Sequence, residues 1–490
     1  MSRPNVLLIM TDQQRWDALS CYGNSAVETV YMDWIASRGA KFQSAYTCTP
    51  SCIPARASLM TGMNPWNVGL LGMGRGQGAI ADLEETLPGE LAAAGYHTIG
   101  VGKMHFSPQR ALHGFQRTIL DESGRVATPG FVSDYAEWYE RNKTGAYGRY
   151  DHGIEQNSWM SRPYHAPEFL HATNWTVTES IQALERRDPT KPFFLKMSFA
   201  RPHSPYDPPP FYFDLYSGKE LPSAQVGEWA DVHDVPADAV NPNAWRGRRS
   251  AEEIRRARAG YYGLIHHIDH QIGRMMRWLT EQRLLSNTMI VFVSDHGDML
   301  GDHHLWRKTY AYEGSAHIPF LVSLPQSMQP AKQKEIEEPV CLQDVMPTIL
   351  DACGVAIPGS VDGSSVLPLI RGEAVQWRPY VHGEHCASYA ADEEMQYLTD
   401  GKWKYIWFPR KDSEQLFHLQ EDRYECKDLA ARTEFREQLE LWRGRLIGEL
   451  ASRQAGLTDE GRLVSQKGQP PLISPKYAER LERVRRRKGG

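Results

Sequence analysis

The chain has 490 residues, of which 41% are hydrophobic and 23% charged, with a formal net charge of -5. These are the proportions of a soluble globular protein, long enough for one large domain and a smaller one. They exclude a general nucleic-acid binder, and no apolar run approaches the length of a membrane span. Seven cysteines, scattered and odd in number, do not make a disulfide framework. The chain enters its first apolar run directly, with no leader-like segment. The cytoplasm is therefore the expected compartment, or the periplasm or exterior if a leader was removed.

Residues 6–10, 98–101, 193–197, 289–293 and 320–322 are short apolar runs that read as buried parallel strands. Helical patterns lie between them. Residues 86–94 carry Leu87 and Leu91 on one face and stop at Gly95; residues 251–283 space Ile254, Tyr261, Ile265 and Ile272 helically. Strands alternating with helices predict an α/β fold, a mostly parallel sheet sandwiched by helices. Residues 121–165 and 221–250, rich in Pro, Gly, aromatic and charged residues, read as long surface excursions. After residue 372 the pattern changes. Residues 395–407 read as a hairpin turning at Asp400-Gly401, 416–419 as a further strand and 435–450 as an amphipathic helix. The expected division is residues 1–372 as the main α/β domain and 373–490 as a small antiparallel-sheet subdomain with a helix and a tail. Arg and Lys crowd residues 480–488, an end expected to be solvated and disordered.

Polar residues follow the strands. Asp12 follows the first, Lys103 and His105 the second, His203 the third, and Asp295 with His296 the fourth. Ligands of such sheets sit beyond the carboxyl ends of the strands, so these segments are expected to converge on one crevice. Asp12-Gln13 and Asp295-His296 offer carboxylate, amide and imidazole groups to a cation. The oxygen-rich set suits one divalent ion, Ca²⁺ foremost, and the imidazole admits Mn²⁺ or Zn²⁺. His266 and His270 lie one turn apart on the long helix, a spacing that can bind metal. No third ligand accompanies them in sequence, and helix packing is their expected role.

Residues 52–62, Cys-Ile-Pro-Ala-Arg-Ala-Ser-Leu-Met-Thr-Gly, resemble the signature of the formylglycine-dependent sulfatase family, part of the alkaline phosphatase superfamily. Other segments resemble that family in its own order: Thr11-Asp12-Gln13, Gly102-Lys103-Met104-His105, Arg201-Pro202-His203-Ser204-Pro205-Tyr206, Ser294-Asp295-His296-Gly297-Asp298, and Lys308 ahead of Tyr312-Glu313-Gly314. Any one of these residues alone reads as an ordinary cap, turn or surface group; their joint order does not. The resemblance implies an alkaline-phosphatase-like fold and hydrolysis of O-sulfate esters of a carbohydrate or aryl alcohol. Gln13 where many members carry a second Asp, and His296 where some carry Asn, also resemble phosphonate monoester hydrolases. Cleavage of a phosphonate monoester or phosphodiester at the same site is the alternative.

The resemblance also implies roles. A maturation enzyme oxidises Cys52 to formylglycine, whose hydrate is the nucleophile and a metal ligand beside Asp12, Gln13, Asp295 and His296. Arg56 holds the hydrate and its loop, while Lys103 and Lys308 neutralise the sulfuryl oxygens. His203 protonates the departing alcohol with help from Lys308, and His105 is the base for sulfate release. Trp66, Arg75, His303, His304, Arg307 and His317 are the candidate substrate rim, a cationic set suited to a sulfated small molecule or glycan. No nucleic-acid or membrane partner is expected, and no oligomeric state is indicated. The first test is Cys52 itself. In an active preparation its peptide is expected to weigh about 18 Da less than the thiol form, from the composition of thiol and aldehyde. Mass spectrometry of that peptide decides it: an active preparation with an intact thiol overturns the reading.

Overall fold

The first strand, β1 (Asn5–Asp12), is buried at every position, as a strand with helices on both faces must be. Its side chains sort by alternation. Leu7 and Ile9 enter one core with helices Val30–Ser37, Ala172–Glu185 and Ala251–Glu281. Val6, Leu8 and Met10 enter a second core with helices Cys52–Thr61, Leu87–Ala93 and Val345–Ala352. The computed structural model describes residues 3–73, 85–123, 128–238, 241–330, 334–386, 388–453 and 455–488.

The following strands are β2 (Gly39–Phe42), β3 (Ala45–Tyr46), β4 (His97–Gly102), β5 (Arg117–Leu120), β6 (Phe193–Pro202), β7 (Thr288–Ser294), β8 (Phe320–Ser323), β9 (Lys334–Ile336) and β10 (Val340–Cys341). Eight strands form one sheet in the order β5-β4-β6-β1-β7-β8-β2-β9, and β3 pairs separately with β10. The sheet is mostly parallel, as expected, with one correction. β8 runs antiparallel to both β7 and β2. The chain returns from β7 without a long crossover helix, which a parallel connection requires. β2, β5 and β9 escaped the sequence reading because they span only three or four residues, too few for a period to show.

The helices end where their caps dictate. The Thr86 side chain accepts from the Gly89 N–H at the start of Leu87–Ala93, and Gly95 follows at φ 94°. Ser250 and Glu253 form a reciprocal capping box at the start of Ala251–Glu281. Among the described residues no helix is long and apolar enough to cross a membrane.

Beyond the main sheet, β11 (Val381–His385), β12 (Met395–Thr399), β13 (Trp403–Phe408) and β14 (Ser413–His418) form a four-stranded antiparallel sheet in that order. The β12–β13 hairpin turns at Asp400-Gly401, with Gly401 at φ 82°. Helix Arg436–Ala451 buries Leu439, Trp442, Leu446 and Leu450 with β13 and β14. The excursion 221–250 reaches this sheet: the Trp229 ring stacks 4.7 Å from Tyr312 and lies 6.0 Å from Phe417. The other, 121–165, contains helix Asp134–Asn142. The basic end is not a disordered tail. It lies in helix Pro475–Lys488, and the backbone and Cβ of Tyr477 pack against Gly69, where a Cβ would come within 2.7 Å. Ser474 Oγ donates to the Trp66 carbonyl at 2.6 Å. Apolar contacts that are distant in sequence hold this helix, so charge run alone misjudged it.

The antiparallel sheet is clamped to the main one by a buried lysine. Lys404 Nζ donates to Glu313 Oε1 at 2.5 Å and the Ala311 carbonyl at 2.9 Å, and lies 2.9 Å from Glu425 Oε1. Burial raises both carboxyls. Lys404 and His317 outweigh it at Glu313, which is held well below the usual range. Glu425, facing the charge of Glu313, is pushed up to about 7. Lys404→Met strands two carboxyls without their cation, and removing one member of a buried ionic cluster costs about 3–5 kcal/mol. Urea unfolding of both proteins is expected to show that loss; a change under about 1 kcal/mol contradicts the clamp.

Candidate active site

Cys52 is the first residue of helix Cys52–Thr61, and Arg56 follows one turn later on the same face. The helix points its N-terminus at the carboxyl ends of β1 and β7. Arg56 is buried and uses its whole fork there. Nε donates to Asp295 Oδ2 at 2.9 Å, Nη2 to Asp12 Oδ2 at 2.8 Å, and Nη1 to the Lys103 carbonyl at 2.7 Å and Ser198 Oγ at 2.9 Å. Lys103 Nζ, just past β4, reaches Asp12 Oδ2 at 2.7 Å. Burial raises the Asp12 carboxyl, but Lys103, Arg56, His203 and Lys308 together hold it well below the ordinary carboxylate range.

The Cys52 thiol sits in this charged surround. Its Sγ is 3.0 Å from Lys308 Nζ, 3.1 Å from His296 Nε2 and 3.7 Å from Asp12 Oδ1. Burial and Asp12 push the thiol up; Lys308, Lys103 and His296 outweigh them, and it falls to about 6. His296 Nδ1 faces the Gly297 carbonyl at 2.9 Å, which turns Nε2 toward Cys52. Burial lowers His296, but Asp295 beside it wins and raises it. Asp295 Oδ1 accepts the backbone N–H groups of Gln13 and His296, both at 3.0 Å.

Gln13, at φ 71°, is a relay. Its Oε1 accepts from Lys308 Nζ at 3.0 Å and its Nε2 donates to Asp298 Oδ2 at 2.6 Å. Asp298 also accepts from Tyr206 Oη at 2.5 Å, the Leu300 N–H at 2.9 Å and the Arg307 N–H at 2.8 Å. One buried carboxylate therefore fixes both Gln13 and the backbone next to Lys308. His203 follows β6; its N–H donates to the Asp12 carbonyl at 3.0 Å and its Nδ1 faces the Ser204 carbonyl at 2.8 Å. Burial, then Lys308, hold its imidazole well below the usual range. His105 adopts φ 60°, and its N–H donates to both oxygens of Glu122 at 3.1 Å.

A model of the sulfatase family matches residues 4–355, and one for the C-terminal region of N-sulphoglucosamine sulphohydrolase matches 301–449. The chain belongs to the sulfatase family. It is 43% identical over 479 residues to an arylsulfatase of Clostridium perfringens (strain 13 / Type A), spanning 96% of this chain and 98% of that one. Its fold is shared with a phosphonate monoester hydrolase of Agrobacterium radiobacter, at TM-score 0.75 and 22% identity over 95% of this chain and 100% of that one. It is also shared with a protein solved with its substrate D-glucosamine-2-N,6-O-disulfate, at TM-score 0.71 and 20% identity over 92% and 98% of the two chains. This sulfatase is a sulfuric ester hydrolase of alkaline-phosphatase-like architecture.

The family works with a divalent metal and a formylglycine. In this sulfatase the donor set fits a cation: one ligand atom from each of Asp12, Cys52, Asp295 and His296 lies within 4.8 Å of the others, all buried. The surroundings of Cys52 Sγ, an ammonium, an imidazole and a carboxylate, equally fit a side chain bearing hydroxyls.

Three residues of the expected rim, His303, His317 and Trp66, are engaged elsewhere. His303 is locked inward, its Nδ1 accepting from the Gly227 N–H at 3.0 Å and its ring 4.6 Å from Trp229. The His304 carbonyl accepts from the Gly247 N–H at 2.9 Å, within the 221–250 excursion. His317 is a core residue, 2.5 Å from Glu313 Oε2 and stacked 4.5 Å from Trp16. Trp66 packs with Leu71 and Cys386, under Arg453. His303, His317 and Trp66 are each drawn away by a partner that sequence proximity to a motif does not reveal. Arg307 lies over the Tyr389 ring at 5.5 Å and donates to the Asn243 carbonyl, one residue from Lys308. Arg75 lies outside the described residues. Three residues near the cluster were missed: Glu122, Asp298 and His385, whose Nε2 lies 2.8 Å from Oγ of Ser51, beside Cys52. Only Asp298 carried a signal, as the last residue of its motif. Asp298→Asn is expected to lower kcat/KM about 10–100-fold, the scale for partners that orient a metal site's ligands. It is also expected to be non-additive with Lys308→Ala, because both act through one ammonium. A double-mutant cycle measures this, and full additivity contradicts it.

Proposed function

We propose that this sulfatase hydrolyses an O-sulfate ester of a carbohydrate or aryl alcohol at Cys52, after a maturation enzyme has converted that residue to formylglycine. What carries the reading is the surround of Cys52: Lys308 Nζ at 3.0 Å and His296 Nε2 at 3.1 Å, at a helix N-terminus that Arg56 ties to two buried carboxylates. A divalent ion held by Asp12, Gln13, residue 52, Asp295 and His296 would supply Lewis acidity toward the sulfuryl oxygens. Its mostly oxygen donors favour Ca²⁺, and its imidazole admits Mn²⁺ or Zn²⁺. The hydrated aldehyde supplies two hydroxyls where the thiol has one sulfur.

The chain's own groups divide the remaining work. Arg56 holds Asp12 and Asp295 in one orientation and offsets their charge, and Lys103 adds to this at Asp12. Lys308 places an ammonium over residue 52, where sulfuryl charge develops. His203 has its Nδ1–H engaged by the Ser204 carbonyl, which leaves Nε2 to take up a proton, favoured once an anionic sulfate ester is bound, and to deliver it to the departing oxygen. His105, its backbone fixed by Glu122, is the base for sulfate release. The arylsulfatase relative bears an aryl name, and the structural neighbour was solved with a sulfated glucosamine. Both alcohol classes therefore stand within the proposal.

The test compares leaving groups. Sugar alcohols leave far less readily than nitrophenol and need the acid more. General acid catalysis is worth about 10²–10⁴ in rate. His203→Ala is expected to nearly abolish hydrolysis of a sulfated sugar while sparing much of the nitrophenyl sulfate activity, and Lys308→Ala to depress both. Equal losses on both substrates for His203→Ala would remove its acid role. Side-by-side turnover of an aryl sulfate and an aryl phosphonate monoester decides between the sulfate reading and the phosphonate alternative that the Agrobacterium radiobacter fold match keeps in view.

A further inference from the structure

Helix Ala251–Glu281 carries His266 and His270 four residues apart, on one face. Helix packing alone does not require their rings to meet, yet they do. The two Nε2 atoms stand 3.0 Å apart, with the ring planes crossed at 75°. Each ring is held from behind by a hydroxyl of helix Pro210–Ser217: Tyr216 Oη lies 3.0 Å from His266 Nδ1 and Tyr212 Oη 2.9 Å from His270 Nδ1. Both tyrosines are buried, and Tyr216 Oη also accepts the Glu28 N–H at 3.2 Å.

We propose that His266 and His270 form a second metal site, remote from Cys52 chemistry, that binds a divalent transition ion such as Ni²⁺, Cu²⁺ or Zn²⁺ through their two Nε2 atoms. The geometry suits it. Two nitrogens 3.0 Å apart, each about 2.0–2.1 Å from a zinc ion, subtend roughly 95° there, within the angles of tetragonal and distorted tetrahedral sites.

The tautomers suit it too. Without metal, one Nε2–H donates to the other Nε2, and that bond keeps the rings converged. With metal, both Nε2 lone pairs face the ion and both Nδ1–H groups donate to tyrosine oxygens, which accept as readily as they donate. The change shifts one ring's proton between its nitrogens and requires no net release. Hydrogen-bonded Nδ1 atoms behind metal-facing Nε2 atoms are what orient imidazole ligands elsewhere. Burial and His270 bring His266 down to about 4, and burial lowers His270, so both rings are neutral, the ligating form, near pH 7.

His270 is exposed, whereas His266 is 5% exposed. Two carboxylates act on His270, Glu28 and Glu168; Lys219, 2.8 Å from Glu28, is the opposing cation. An all-imidazole pair disfavours Ca²⁺, which demands oxygen and for which the acidic cluster at Cys52 is the better match. The inference does not depend on the reading of the Cys52 cluster.

The test is Ni²⁺ titration of metal-stripped full-length protein by calorimetry, with native, His270→Ala and His266→Gln chains compared. All three carry the same Cys52 cluster, so uptake there cancels. The native chain is expected to bind one equivalent more than either variant. Cu²⁺ loaded to saturation is expected to show a component with hyperfine coupling to two imidazole nitrogens in its electron paramagnetic resonance spectrum, lost in His270→Ala. Equal stoichiometry and affinity in all three chains overturn the proposal, as does a copper spectrum that His270→Ala leaves unchanged. Circular dichroism checks each variant's fold; His270 lies on an exposed helical face where alanine is well tolerated.

Discussion

The guanidinium of Arg56 is the group on which the rest of the site depends. Two fully buried carboxylates at adjacent strand ends, Asp12 and Asp295, repel one another and lose their hydration. Arg56 answers both with one planar fork, at 2.8 and 2.9 Å, and its Nη1 donates to a carbonyl past β4 and a hydroxyl of β6. Four strands of the sheet are thereby fixed to one helix. A lysine could offset charge but could not present three directed donors in a plane. Because Arg56 sits one turn from Cys52, the same bonds that settle the carboxylates also set where residue 52 begins its helix.

The segment that delivers Lys308 is built differently. Between Leu300 and Thr309, Leu300, Gly301, His303, His304, Arg307 and Thr309 all take positive φ, from 50° to 92°. Apart from Gly301 these are side chains that resist such a backbone, Thr309 most of all because it is branched at Cβ. Each costs on the order of 1–3 kcal/mol and persists only where neighbours overdetermine it. Those neighbours are on hand. Arg15 and Arg258 both grip Asp302; Arg15 also donates to the Asp298 carbonyl just ahead of the segment, and Arg258 to the Leu300 carbonyl at its start. The Thr309 N–H donates to the Pro50 carbonyl at 2.9 Å, which ties the Lys308 segment to the one that leads into Cys52. Burial and ion pairing elsewhere hold a strained loop whose tip carries one ammonium.

The antiparallel sheet is joined to this assembly rather than appended to it. The Glu384 N–H donates to the Cys48 carbonyl at 2.8 Å, Tyr397 Oη donates to the Thr47 carbonyl at 2.6 Å, and His385 meets Ser51. All three fall within the five residues before Cys52. Lys404 reaches across to Glu313, in the turn after Lys308. The two segments that converge on residue 52 are thus each braced from the same sheet.

The amino-acid sequence by itself determined the alternation of strands and helices, the hairpin at Asp400-Gly401 and the family motifs. It also placed Asp12, Lys103, His203 and Asp295 past the ends of buried strands. These features are local: a period of two or 3.6, a cap, a turn pair or a short motif is complete within a dozen residues. The direction of β8, the docking of helix Pro475–Lys488, the inward capture of His303 and His317 and the hub at Asp298 were decided by tertiary structure. So was the meeting of the His266 and His270 rings. In each case the deciding partner lies far away in sequence, such as Gly69 for Tyr477, Trp16 for His317 and Tyr212 for His270. A polar or aromatic side chain takes whichever neighbour packing brings within hydrogen-bonding or stacking range, and sequence spacing alone does not specify that neighbour.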